Sequence, residues 1–130
     1  MRKVWLSLVV LGVLAGVAGA KQRPRGEVVV KAKVTGLSSA PLCGIMHTAI
    51  VVRYDVLGVV RGKYAAPVLY AVYDCGAVAG QPNGVKVGDV HRLTVKPVPA
   101  DFGASIIDAF AADDKALPRL LAVRADTVKP

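Results

Sequence analysis

The stretch "TAIVVRYDVLGVVRG", residues 48–62, decides the fold. Laid out as an extended chain, it puts Ile50, Val52, Tyr54, Val56 and Val60 on one face. Arg53 and Asp55 fall on the other, beside Val51, Leu57 and Val59. A period of two in a run this rich in β-branched residues predicts a half-buried strand. Gly58 interrupts it, and a glycine inside a strand marks a bulge or bend. A long strand that bends at a fixed point curls, as barrel strands do.

The same period continues on both sides. Downstream, "RGKYAAP" (61–67) is turn-like, and "VLYAVYDCG" (68–76) sets Val68, Tyr70 and Val72 against Leu69, Ala71 and Tyr73. The two runs predict a hairpin. Upstream, "EVVVKAKVTG" (27–36) places Val28, Val30, Ala32 and Val34 on one face, opposite Val29, Lys31, Lys33 and Thr35. "AVAGQPNGVKVGD" (77–89) is loop by its glycines, proline and asparagine. "VHRLTVKPVP" (90–99) is a fourth strand with Leu93 and Val95 inward and Arg92, Thr94 and Lys96 outward. In "ADFGASIIDAFAADDK" (100–115), Ile106, Ile107 and Phe110 fall near one helical face, which predicts a short helix. "LPRLLAVRADTVKP" (117–130) gives a last strand with Leu121, Val123 and Ala125 on one side. The expected fold is mainly β: a small five-stranded OB-like barrel with one short helix between strands 4 and 5.

The order "VTGL", then a long strand ending "VVRGKY", then "DCG", then "VKVGDVHRLTV" resembles the netrin-like, tissue-inhibitor-of-metalloproteinase-like group of OB folds over residues 27–98. The resemblance implies the barrel. It does not carry over the inhibitory mechanism, because that family uses a cysteine at the mature N-terminus to chelate the protease zinc. Here the expected mature N-terminus is Lys21, and the first cysteine is Cys43.

That N-terminus follows from the opening, "MRKVWLSLVVLGVLAGVAGAKQ". Arg2 and Lys3 precede an apolar run from Val4 to Ala20, which closes on "AGA". This is the layout of a secretory signal peptide over residues 1–20, with an uncleaved membrane anchor as the alternative. The expected protein is exported, periplasmic or extracellular, and meets a membrane only through this leader. "KQRPRG" (21–26) reads as a flexible basic arm, and residues 27–130 as a single domain. Removing the leader lowers the formal charge from +8 to +6 by taking Arg2 and Lys3. The remaining cations are spread along the chain and interrupted by acids. A solvated surface explains them better than nucleic-acid binding, with weak attraction to anionic lipid or acidic polysaccharide as the alternative.

Two cysteines survive maturation, Cys43 before the long strand and Cys75 at the end of its hairpin partner. In an oxidising compartment they predict a disulfide, and such a ring closure contributes about 3–4 kcal/mol. The competing reading is a copper or zinc site built from Cys43, Met46, His47, Cys75 and His91, since soft sulfur and imidazole suit both metals. The spacing matches no strong metal signature, and a disulfide would consume the same sulfurs. No nucleophile elbow, phosphate loop or convergent acid–base set is present in the sequence. Asp55 and Asp74, on neighbouring strands, are the one carboxylate pair that could meet. The aromatics of the hairpin, with nearby cations, suggest a binding face of Arg53, Arg61, Lys63, Tyr64 and Tyr73. The expectation is a monomeric, non-enzymatic binding domain for a protein or polysaccharide, without a cofactor.

Overall fold

The computed structural model describes residues 26–39 and 46–129. Its elements are β1 (Val28–Leu37), β2 (Thr48–Arg61), β3 (Val68–Asp74), β4 (Val90–Pro97), β5 (Ser105–Ile107) and β6 (Arg119–Thr127). Hydrogen bonding runs β1-β4-β6-β3-β2-β5, and an additional β1–β2 pairing closes the sheet. Five strands, β1-β2-β3-β6-β4, thus form a closed barrel, with β5 as an extra strand beside the start of β2. Neighbours in the barrel are antiparallel except β3 and β6, which are parallel.

The alternation along β1 to β4 supplies the interior. Val28, Val30, Ala32 and Val34 meet Val52, Tyr54, Leu69, Ala71, Tyr73, Leu93 and Val95 in one buried cluster. The bend of β2 comes as bulges. Its register with β1 runs Val56 to Ala32, Gly58 to Lys31, Val59 to Val30 and Arg61 to Val29, so Leu57 and Val60 are the extra residues.

A second cluster lies outside the barrel. Ala49, Val51, Tyr70 and Val72, on the outer face of β2 and β3, are covered by Val98, Phe102, Ala104, Phe110, Leu117 and Leu121. Both faces are therefore buried where β2 pairs with β3 near Ala49–Val52 and Leu69–Tyr73, which explains the near-continuous apolar sequence there.

Two expectations fail, each for a stated reason. The short helix between strands 4 and 5 does not form: residues 105–107 are β5 and residues 109–117 are turns. The β5 residues pair in parallel with Thr48, Ala49 and Ile50 of β2. Arg119 donates to the carbonyls of Phe110, Asp113, Asp114 and Leu117 and so ties the following turns to the start of β6. On β6, the interior residues are Leu120, Ala122 and Ala125, not the evenly spaced set starting at Leu121. The register with β4 jumps from Arg124–Thr94 to Ala122–Val95, so a bulge at Val123 switches the parity.

Candidate functional site

Three arrangements draw polar side chains together. The first is inside the barrel. Tyr54, Tyr73 and His91 are fully buried, although strand interiors of this size are ordinarily all apolar. Tyr54 Oη and Tyr73 Oη are hydrogen bonded, and Tyr54 Oη lies 2.8 Å from His91 Nδ1. His91 Nε2 has no hydrogen-bond partner but faces the Asp89 carboxylate at 3.6 Å. A carboxylate on that side places the imidazole proton on Nε2 and leaves Nδ1 as the acceptor. The chain then runs in one direction, with the Tyr73 hydroxyl donating to Tyr54 and Tyr54 donating to His91. Burial, chiefly, holds the Tyr54 hydroxyl far above its ordinary value, with Tyr73 adding to it. Burial also pushes Tyr73 up to about 12, so both stay protonated. His91 is lowered by burial, against the opposing pull of Asp89. No side chain of this chain reaches solvent except Asp89, so it offers a substrate no approach.

The second arrangement is at the start of β2. His47 Nε2 contacts Asp74 Oδ1, with both side chains about half exposed at 49% and 46%. The ligand atoms of His47, Asp74 and Cys75 lie within 4.8 Å of one another. The hairpin does this, because Ala49 pairs with Asp74 and Cys75 N donates to Thr48 O. Sequence reading names His47 and Cys75 as possible ligands and sets Asp74 against Asp55 instead; the place of Asp74 beside His47 depends on hairpin register. Cys75 is not a free thiol and so brings no thiolate to a metal. Cys43 lies outside the described residues. Met46 points to solvent, 63% exposed. His91 belongs to the interior chain, apart from His47. The residues suggested for copper or zinc are thus divided between different environments.

The third is the outer surface. Of the suggested binding face, Arg61 and Lys63 are exposed at the far end of β2. Arg53 is half-buried, and its Nη1 donates to Thr35 Oγ1 at 3.1 Å. Tyr64 packs against the core and donates its hydroxyl to Val68 O at 2.6 Å. Tyr73 points into the barrel, so it is not part of a surface; its position on the same face as Leu69 and Ala71 dictates this. Asp55 and Asp74 do not meet. They pair with Val68 and Ala49, at opposite ends of the β2–β3 ladder.

OB folds bind polymers on the face of strands 2 and 3. Here that face carries the cluster under Phe102, Phe110 and Leu117. The cover is fixed: Arg119 Nε meets Asp108 Oδ2 at 2.7 Å, its guanidinium sits 4.0 Å from the Tyr70 ring centroid, and Tyr70 Oη donates to Asp114 at 2.8 Å. Gly36 makes room for it, since a Cβ there would come within 2.9 Å of the Phe110 ring. The open surface lies instead over β1 and β4. Lys31 and Arg92 are direct register partners, and both are exposed, as is Lys33. Like charges directly opposite one another destabilise a sheet. None of the three makes an ion pair among the described residues, although two acids lie across from them: Asp55 on β2 is the register partner of Lys33, and Asp126 on β6, the register partner of Arg92, is engaged by Arg124 at 2.8 Å.

No family model, curated protein or solved structure matches the chain.

Proposed function

We propose that this protein is an exported, non-enzymatic binding domain that takes an acidic partner protein on the outer surface of its barrel. The observation that carries the reading is the exposed cluster of Lys31, Lys33 and Arg92, in which Lys31 stands directly opposite Arg92 and none of the three is ion-paired among the described residues, although Asp55 and Asp126 are the register partners of Lys33 and Arg92. Such a surface costs stability by self-repulsion and gains it back when an anionic partner docks. The signal-peptide layout of residues 1–20 supports export, and a formal charge of +6 after its removal supports a partner of opposite sign. In the same reading Cys43 and Cys75 form the disulfide that ties the β1–β2 connection to the end of β3. The resemblance to the netrin-like group adds a fold to this reading, and no ligand.

The test uses poly-aspartate as probe against the mature domain. Binding that weakens with salt, and drops at least tenfold in K31E/K33E/R92E, supports the reading. Equal binding by the variant, or none by the native domain, overturns it.

A further inference from the structure

We infer that the partner adds an extended segment, alternating acidic and apolar residues, as a new strand along the free edge of β2 at Leu57–Arg61. This inference rests on the acidic-partner reading above and assigns it a place and a form.

The edge is open because β2 outruns β3. The β2–β3 register ends at Asp55–Val68, followed by one further bond from Val56 N to Pro67 O. From Leu57 to Arg61, β2 is paired with β1 alone. All five residues are exposed, with Leu57 at 54%, Val59 at 42% and Val60 at 49%. Natural sheets blunt such edges with charge, proline or short strands. This one has bulges at Leu57 and Val60 but fills them with large apolar side chains, and only its end is charged, through Arg61 and Lys63. Backbone groups on an open edge give strand addition its affinity, and alternate side chains give it specificity.

The register specifies what those side chains would be. Val59 pairs with Val30 and shares its inward face. Gly58 pairs with Lys31, and Arg61 with Val29, so Gly58 and Arg61 share the outward face. A Cβ at Gly58 would meet nothing within 4 Å, so that position leaves open ground beside Lys31. An added strand would therefore set apolar side chains beside Val59 and acidic ones toward Arg61 and Lys31. A second copy of this chain fits less well, because each carries a net positive charge.

The experiment adds a synthetic peptide of alternating aspartate and valine to the full mature domain and reads amide hydrogen exchange. An alternating lysine–valine peptide, dextran sulfate and the domain alone at high concentration are run beside it. Slowed exchange at Leu57–Arg61 with the acidic peptide only, and at least tenfold weaker binding by L57D/V60D, is the expected result. These two positions are the bulge residues, outside the β1 register, so the variant keeps its ladder; a matching thermal melt checks this. Peptide binding with no protection at Leu57–Arg61, or unchanged in L57D/V60D, overturns the strand addition while the acidic-partner reading stands. Edge protection by dextran sulfate or by self-association in place of the peptide also overturns it. Loss of all peptide binding in K31E/K33E/R92E together with an unprotected edge moves the partner onto the β1–β4 surface.

Discussion

The Tyr54 hydroxyl lies 2.8 Å from His91 Nδ1, in the middle of a barrel whose other central side chains, Tyr73 apart, are apolar. The bond is worth having only while the imidazole is neutral. If His91 gains a second proton, Nδ1 becomes a donor, Tyr54 must turn toward Tyr73, and the Tyr73 hydroxyl loses its acceptor. Burial already sets the proton affinity of folded His91 below its ordinary value of 6.5, with Asp89 and Asp126 pulling the other way. The unfolded chain therefore takes up the proton first as pH falls. The stability from this group is fully present above about 6.5 and is lost as pH drops through the lower folded value. Titration of the His91 ring signal by NMR checks this: a midpoint at or above 6.5 contradicts it.

The direction of the same chain sets unequal costs for its two tyrosines. Tyr73→Phe removes only the last donor and costs roughly 0.5–1.5 kcal/mol. Tyr54→Phe strands both the Tyr73 hydroxyl and His91 Nδ1, for a loss of roughly 2–4 kcal/mol. Urea unfolding of both single variants and the double variant measures the difference. Equal single losses would mean that the chain runs otherwise.

Arg119 holds the segment over the outer face of β3 through Asp108 and four carbonyls. Lysine has the charge without the planar fork. Arg119→Lys is expected to cost about 1.5–3 kcal/mol and to open residues 108–117 to proteolysis. Limited digestion followed by mass analysis locates the nick.

Gly80 approaches the end of β6 so closely that a Cβ would come within 2.1 Å of Ala125 O, and its φ is +93°. Neither term can relax cheaply, because the obstacle is backbone that also takes part in the bond from Ala125 N to Ala79 O. Gly80→Ala should cost at least about 2 kcal/mol, read as a fall in the urea midpoint. Gly58→Ala, in open space, should be close to neutral.

The proposed Cys43–Cys75 bridge predicts that the mature protein resists alkylation until reduced, and that reduction removes about 3–4 kcal/mol. Intact mass before and after reduction decides the first part, and unfolding in reductant the second. Alkylation of both thiols without reductant would exclude the bridge.

The strands were legible because their information is local. In β1, β3, β4 and in β2 as far as Val56, each inward residue sits two positions from the next, and the burial of Val30, Val52, Leu69 and Leu93 follows that count; beyond it the bulge at Leu57 puts Val59, not the expected Val60, on the inward face. Gly58 likewise announced the bulging of β2. The helix at 100–115 was misread because Ile106, Ile107 and Phe110 satisfy a helical face equally well. What decides otherwise lies outside the window: Thr48, Ala49 and Ile50 of β2 take Ser105, Ile106 and Ile107 as a parallel strand. Tyr73 was misplaced on a surface because its polar tip and the cations nearby outweighed its parity with Leu69 and Ala71.

The sequence by itself determined the barrel strands, the hairpin and the net positive charge, since periodicity and composition survive whatever the chain does elsewhere. Only the tertiary structure decided which polar groups meet. Tyr54 and His91 are 37 residues apart, and Lys31 faces Arg92 across two strands distant in the chain. The bulge at Val123 that turns Ala125 inward, the cover over β2 and β3, and the open edge at Leu57–Arg61 are likewise consequences of register. Register is fixed by the closing of the barrel as a whole, and no single segment contains it.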